Sequence, residues 1–143
     1  MHIYFFNLFS LSFMQNADIS QHVHRDELIG VDTNGFKFDG NGYLILEKGT
    51  TTNVKEYSKV QFDFKTFSEN GLMFLMGDNE GETDFFAVEM VGGKVKLIYN
   101  LGSGAGSVVS QQSFNDGKWH TLSAERYKKQ GLLKVDGNTS KSL

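Results

Sequence analysis

Trp119 and His120 stand side by side just after the turn Asn115-Asp116-Gly117, in the stretch NDGKWHTLSAERYKKQGLLKVDG. An imidazole there is either an acid-base group or a packed, hydrogen-bonded one. KWHTLSAER reads as a strand, and period two sets His120, Leu122 and Ala124 on one face and Trp119, Thr121, Ser123 and Glu125 on the other. The apolar company of His120 identifies it as a structural histidine rather than a catalytic one. The other chemical candidates are sparse. With no cysteine in the chain, thiol nucleophiles, zinc-thiolate sites and disulfides are excluded. His22 and His24 share a face of an extended segment, with Asp26 and Glu27 nearby, a spacing that can hold a metal. Chance histidines in a polar linker are the simpler account. Gly102-Ser103-Gly104-Ala105-Gly106 has the suppleness of a phosphate cradle, but no Gly-Lys-Ser/Thr follows and no helix pattern opens there, so it reads as a loop between strands. Glu89 has a strand setting suited to a glycosidase carboxylate. No E-x-D-x-x-E arrangement supplies its partner, and Lys96 is placed to neutralise it. No Ser-His-Asp order is present either, so the chain reads as noncatalytic.

Charge is unevenly spread. Residues 118–143 hold six Lys/Arg against two Asp/Glu, whereas residues 1–117 hold eight against fifteen. Lys118, Arg126, Lys128 and Lys129, with Lys134, are candidates for a basic surface that attracts sulfated or acidic glycans. The alternative is a solvated hairpin tip whose lysines guard a sheet edge from mispairing. Nucleic acid is disfavoured by a formal net charge of −3 and the lack of a recognised binding motif. Asn138-Thr139-Ser140 satisfies the N-glycosylation rule directly after an Asp-Gly turn, which makes Asn138 a modification site if the chain is secreted.

Holding these residues in place falls to strands. Thirteen phenylalanines, sixteen glycines and no proline favour pleated surfaces and tight turns over long helices. Turn signals recur at Asn34-Gly35, Asp39-Gly40-Asn41-Gly42, Asn70-Gly71, Gly92-Gly93 and Asp136-Gly137. Between them lie FKF, GYLILE, KVQFDFKTF, GLMFLMG, DFFAVEMV, KVKLIYNL, KWHTLSAER and LLKVDG, the spacing of an antiparallel sandwich or barrel. A two-residue turn at Gly92-Gly93 sets Val91 opposite Lys94 and pairs Met90 with Val95, Val88 with Leu97 and Phe86 with Tyr99, all on one face. The other face then carries Glu89 opposite Lys96, Ala87 opposite Ile98 and Phe85 opposite Asn100. One step further, Asp84 stands opposite Leu101 at the open end of this hairpin. The opening MHIYFFNLFSLSFMQNA has an apolar run of signal-peptide length, with Ala17 where cleavage can fall; it lacks a preceding Lys or Arg and is too short to span a bilayer as a helix. Residues 1–28 are therefore read as leader or linker and residues 29–143 as the domain.

The order GLMFLMG, DFFAVEM, GGKVKLIYNLGSG, NDGKWHTL and LKVDG resembles the laminin G-like (LG) domain of laminin alpha chains and related matrix and synaptic proteins, over about residues 30–143. The resemblance implies a jelly-roll-like antiparallel β-sandwich of the concanavalin A-like kind. It also implies a secreted, noncatalytic matrix and cell-adhesion module that engages heparan sulfate, dystroglycan-type glycans or adhesion receptors. Matrix-type members hold Ca²⁺ at the sandwich rim, and by this resemblance the carboxylate of Asp84 and the carbonyl of Leu101 are the first two ligands. That assignment makes physical sense for a hard cation, but Ca²⁺ takes about six to eight oxygens. LG domains usually continue for several strands beyond the block matched by LKVDG, so the sequence reads as incomplete at its C-terminus, with sheet edges left uncovered. The competing class is a carbohydrate-binding or carbohydrate-processing sandwich of the lectin and glucanase type.

Overall fold

The computed structural model describes residues 2–6, 10–12, 28–32, 35–38, 43–47, 56–77, 84–102 and 104–142, none of them helical. Thirteen strands follow in chain order: β1 (His2–Phe6), β2 (Ser10–Ser12), β3 (Leu28–Asp32), β4 (Gly35–Phe38), β5 (Tyr43–Glu47), β6 (Tyr57–Lys65), β7 (Gly71–Gly77), β8 (Phe85–Val91), β9 (Lys94–Asn100), β10 (Ala105–Ser113), β11 (His120–Tyr127), β12 (Gln130–Val135) and β13 (Asn138–Lys141). They form two antiparallel sheets, a six-stranded one in the order β10-β9-β8-β7-β1-β5 and a seven-stranded one in the order β13-β12-β11-β6-β2-β4-β3. The all-β sandwich expected from the turn spacing is the fold observed.

Within the stretch read as leader, β1 lies between β5 and β7, and β2 lies between β4 and β6. The aromatic and β-branched sequence HIYFF suits an interior strand. β6 and β7 are consequently paired on both sides, and the described edges are β10 and β5 in one sheet and β13 and β3 in the other. His22, His24, Asp26 and Glu27 lie outside the described residues.

The β8–β9 hairpin has the register that its turn dictates, from Val91 opposite Lys94 through Phe85 opposite Asn100. Gly92 and Gly93 take φ of 57° and 79°, the left-handed conformation that a two-residue turn of this twist demands. Met90, Val88, Phe86, Val95, Leu97 and Tyr99 are all buried on the inner face. Facing them from the other sheet are Phe62 and Phe64 of β6, Leu122 and Ala124 of β11, and Leu133 and Val135 of β12. Phe86 meets Phe74 edge-on, with centroids 6.2 Å apart at 81°, and Phe62 meets Phe64 in the same manner at 6.5 Å. Such offset aromatic pairs add specificity to the area they remove from water.

One loop reading is corrected. Ala105 and Gly106, placed in a loop from their glycine-rich context, are the first residues of β10 and pair with Asn100 and Tyr99. Only Val108 and Ser110 of that strand are buried, because β10 is an edge strand with a wet outer face.

Candidate functional site

His120 is buried, as its strand face requires, and both ring nitrogens face carboxylates. Nδ1 is 2.7 Å from Asp136 Oδ2, and Nε2 is 2.9 Å from Asp116 Oδ1. The ring is packed edge-on against Phe114 at 5.1 Å and tilted against Phe64 at 5.5 Å. Asp136 also accepts the Thr121 N–H at 2.9 Å, and Asp116 accepts the Lys118 N–H at 2.9 Å. Asp116 is held down to about 2, first by that backbone N–H and next by His120. This arrangement joins the turn before β11 to the β12–β13 turn, and its ring nitrogens are both engaged. It fits the structural role read from the sequence. Asp136 was legible there only as a turn residue; its action on His120 across two strands was not.

The opposite rim of the sandwich collects the ion and glycan candidates. Asp84 precedes β8 and Leu101 follows β9, so they flank the mouth of the hairpin beside the Phe85–Asn100 pair. The Leu101 side chain is buried. Beneath them Tyr99 spans the two sheets, its hydroxyl donating to the Lys129 carbonyl at 2.8 Å and lying 3.3 Å from Ser142 Oγ. The Ser142 hydroxyl in turn accepts the Gly131 N–H at 2.7 Å. The Lys128–Lys129 turn is thereby fastened to the rim that carries Asp84 and Leu101.

Arg126 does not belong to the exposed basic surface. It is fully buried, with its guanidinium carbon 5.7 Å from the centroid of the Tyr99 ring. Burial works against its charge, while Tyr99 and Asp84 favour it. The period-two face of His120, Leu122 and Ala124 simply continues to Arg126. Lys118 stands apart for a different reason: it precedes β11 whereas Lys128 follows it, which separates them by roughly 30 Å of extended chain. Lys118 pairs with Asp116 at 3.3 Å. Lys128 and Lys129 therefore remain together, both exposed. Glu89 is paired with Lys96 at 3.1 Å, as the hairpin register required. Asn138 is exposed at the head of the edge strand β13.

Donor chemistry at the rim suits a hard cation, since a carboxylate and a nearby main-chain carbonyl both offer oxygen. Among the described residues no three His, Cys, Asp or Glu side chains gather as a metal site. The Asp84 carboxylate and the Leu101 carbonyl would be two of the roughly six to eight oxygens that such an ion takes.

A two-sheet antiparallel sandwich, a buried His120 locked by turn carboxylates beside an exposed Trp119, and rim loops carrying acidic and basic groups define a binding-module type of β-sandwich. The family model described as Laminin G domain matches residues 64–143. The chain is 38% identical over 104 residues to laminin subunit alpha-1 of Mus musculus, covering 73% of this chain and 3% of that protein. It is also 38% identical over 96 residues to the basement membrane-specific heparan sulfate proteoglycan core protein of Mus musculus, covering 66% of this chain and 2% of that protein. Domains LG4-5 of the mouse laminin alpha1 chain share the fold, with a TM-score of 0.58 and 20% identity over 99% of this chain and 29% of that one. This chain belongs to the laminin G domain family. It spans a small fraction of the length of the curated relatives it matches.

Proposed function

We propose that this chain is a noncatalytic, extracellular matrix-type binding module that engages acidic cell-surface or matrix glycans and the receptors that carry them, with Ca²⁺ bridging glycan and protein at the rim. The observation that carries the reading is the Tyr99–Lys129 hydrogen bond of 2.8 Å, which fastens the Lys128–Lys129 turn to the end of the sandwich where Asp84 and Leu101 flank a hairpin mouth. A bridged cation takes the Asp84 carboxylate and the Leu101 carbonyl as ligands, and water and glycan oxygens complete its shell. Lys128 and Lys129 add charge-assisted contacts to sulfate or carboxylate groups. Membership of a family whose matched relatives are matrix proteins supports an extracellular setting. Asn138, exposed after its turn, is then available as a glycosylation acceptor.

Heparin binding by the full chain tests this, measured with and without EDTA and in Asp84→Asn and Lys128→Ala–Lys129→Ala variants. The reading requires weaker binding in the lysine variant at low salt, and a calcium-dependent component that Asp84→Asn removes. Heparin affinity indifferent to all three changes would overturn it.

A further inference from the structure

The seven-stranded sheet ends in two half-exposed aromatic rings on neighbouring strands. Tyr57 of β6 and Tyr127 of β11 are direct cross-strand partners and are 48% and 55% exposed. Direct partners bring Cβ atoms to about 5 Å, so the two rings share one shelf. The next row on the same outer face runs Lys59, Glu125, Leu132, Lys141 across four strands, each opposite the next in register. Between the rows lies a groove of about 360 Å³ lined by Tyr57, Tyr127, Glu125, Gln130, Leu132 and Lys141. That is the size range of a small-ligand pocket. A salt bridge of 3.0 Å between Lys59 and Glu125 stiffens its wall, and the Lys128 ammonium lies 5.5 Å from the centroid of the Tyr127 ring.

We infer that this groove seats one pyranose residue bearing a carboxylate or sulfate. The two exposed rings offer an apolar surface to the C–H face of a sugar. The Gln130 amide and the Glu125 carboxylate offer donors and acceptors to its hydroxyl edge. Lys141, which lines the groove, and Lys128, over the Tyr127 ring, favour an anion on that sugar over a neutral ring. A purely apolar ligand would leave these polar groups desolvated without partners. The inference rests on the reading that the module binds acidic glycans and shares Lys128 with it, but the Tyr57–Tyr127 shelf is separate from Asp84 and Leu101, so tyrosine and Asp84 variants test the two sites apart.

The test is titration of the full chain with a heparin tetrasaccharide, a hyaluronan tetrasaccharide, which carries carboxylate without sulfate, and neutral maltotetraose. Each is followed by calorimetry and by perturbation of tyrosine resonances. Tyr57→Ala–Tyr127→Ala should weaken binding of the favoured acidic tetrasaccharide about ten-fold, whereas Tyr57→Phe–Tyr127→Phe, which keeps the stacking faces, should change it by less than about two-fold. Comparing the heparin and hyaluronan fragments tells which anion is recognised, and maltotetraose should bind about ten-fold more weakly than the better of them. Circular dichroism confirms that the alanine variant is folded, and EDTA together with Asp84→Asn should leave the tyrosine perturbations in place. Acidic-fragment binding that survives the alanine pair but falls with EDTA would overturn the groove and leave the rim reading standing. Equal affinity for maltotetraose would overturn the anionic preference. Failure of the unaltered chain to bind either acidic fragment would overturn the glycan reading and the groove together.

Discussion

His120 Nδ1 lies 2.7 Å from Oδ2 of Asp136, a residue sixteen positions later that β12 carries back to the start of β11. A protonated ring donates to Asp136 and to Asp116 alike, while a neutral ring donates to one and turns a lone pair toward the other. His120→Leu keeps a similar buried shape but removes both contacts, and it should lower the unfolding free energy by about 2 kcal/mol in urea titrations.

The pH dependence of Asp116 follows from its depressed value of about 2, against an ordinary 3.8. A carboxyl depressed in the folded state contributes stability above its unfolded value and loses that contribution as pH falls through the folded one. Thermal midpoints of the native chain should therefore fall between about pH 4 and about pH 2, and Asp116→Asn should flatten that slope. An unchanged slope in the variant would refute the role of this carboxylate.

Tyr99 is buried on the inner face of the hairpin, yet its hydroxyl reaches the other sheet at Lys129. Tyr99→Phe leaves the ring in place and strands a partly buried carbonyl, a loss of about 1 kcal/mol in equilibrium unfolding. Its companion effect is on mobility: hydrogen exchange of the Gly131 amide should accelerate, because Ser142 loses one of the groups that fix its hydroxyl.

Gly131 explains why that ring fits. A Cβ added there would come 2.7 Å from Tyr99 Cε1 and 2.9 Å from Val108 Cγ2, closer than packed carbons tolerate. Gly131→Ala should destabilise by about 1–3 kcal/mol through overpacking. Pairing it with a smaller residue at 108, Val108→Ala, should recover part of the loss; additive losses would show that the clash with Val108 is unimportant.

The Glu89–Lys96 pair is half in water, with side-chain exposures of 27% and 32%. A double-mutant cycle through Glu89→Ala and Lys96→Ala should give a coupling of less than about 1 kcal/mol, shrinking further in high salt. The pair fixes register more than it adds stability, since a slip of one residue would bury it.

How much of this was readable beforehand depends on whether the signal was local. The β8–β9 hairpin was legible in full because a two-glycine turn and period-two alternation fix every pair from Val91–Lys94 to Phe85–Asn100. His120 was legible for the same reason. Arg126 was grouped with exposed lysines by charge alone, although the alternation that buries His120 also buries it, and composition gave the wrong answer where periodicity gave the right one. β10 was obscured because an edge strand shows only Val108 and Ser110 to the core, too few for an apolar run. β1 and β2 gain their places from partners some twenty-five to seventy-five residues away, β5, β7, β4 and β6, a relation that no local pattern contains. The joining of Asp136 to His120, and of Lys129 to Tyr99, is likewise a product of sheet packing.

Arg126 offers the sharpest stability contrast. It is fully buried, and its guanidinium lies over the Tyr99 ring. Replacing a buried charged group by an apolar one of similar length commonly leaves stability unchanged or raised, whereas truncation opens a cavity. Arg126→Met should therefore be within about 1 kcal/mol of the native chain or more stable, and Arg126→Ala should lose about 2–4 kcal/mol. The same methionine variant removes the positive charge that Asp84 stabilises. If Asp84 holds a cation at the rim, calcium should bind Arg126→Met more tightly than the native chain, because one competitor for that carboxylate is gone. Isothermal titration of both chains with CaCl₂ decides it, and weaker binding by the methionine variant would show that Arg126 supports the rim site instead of competing with it.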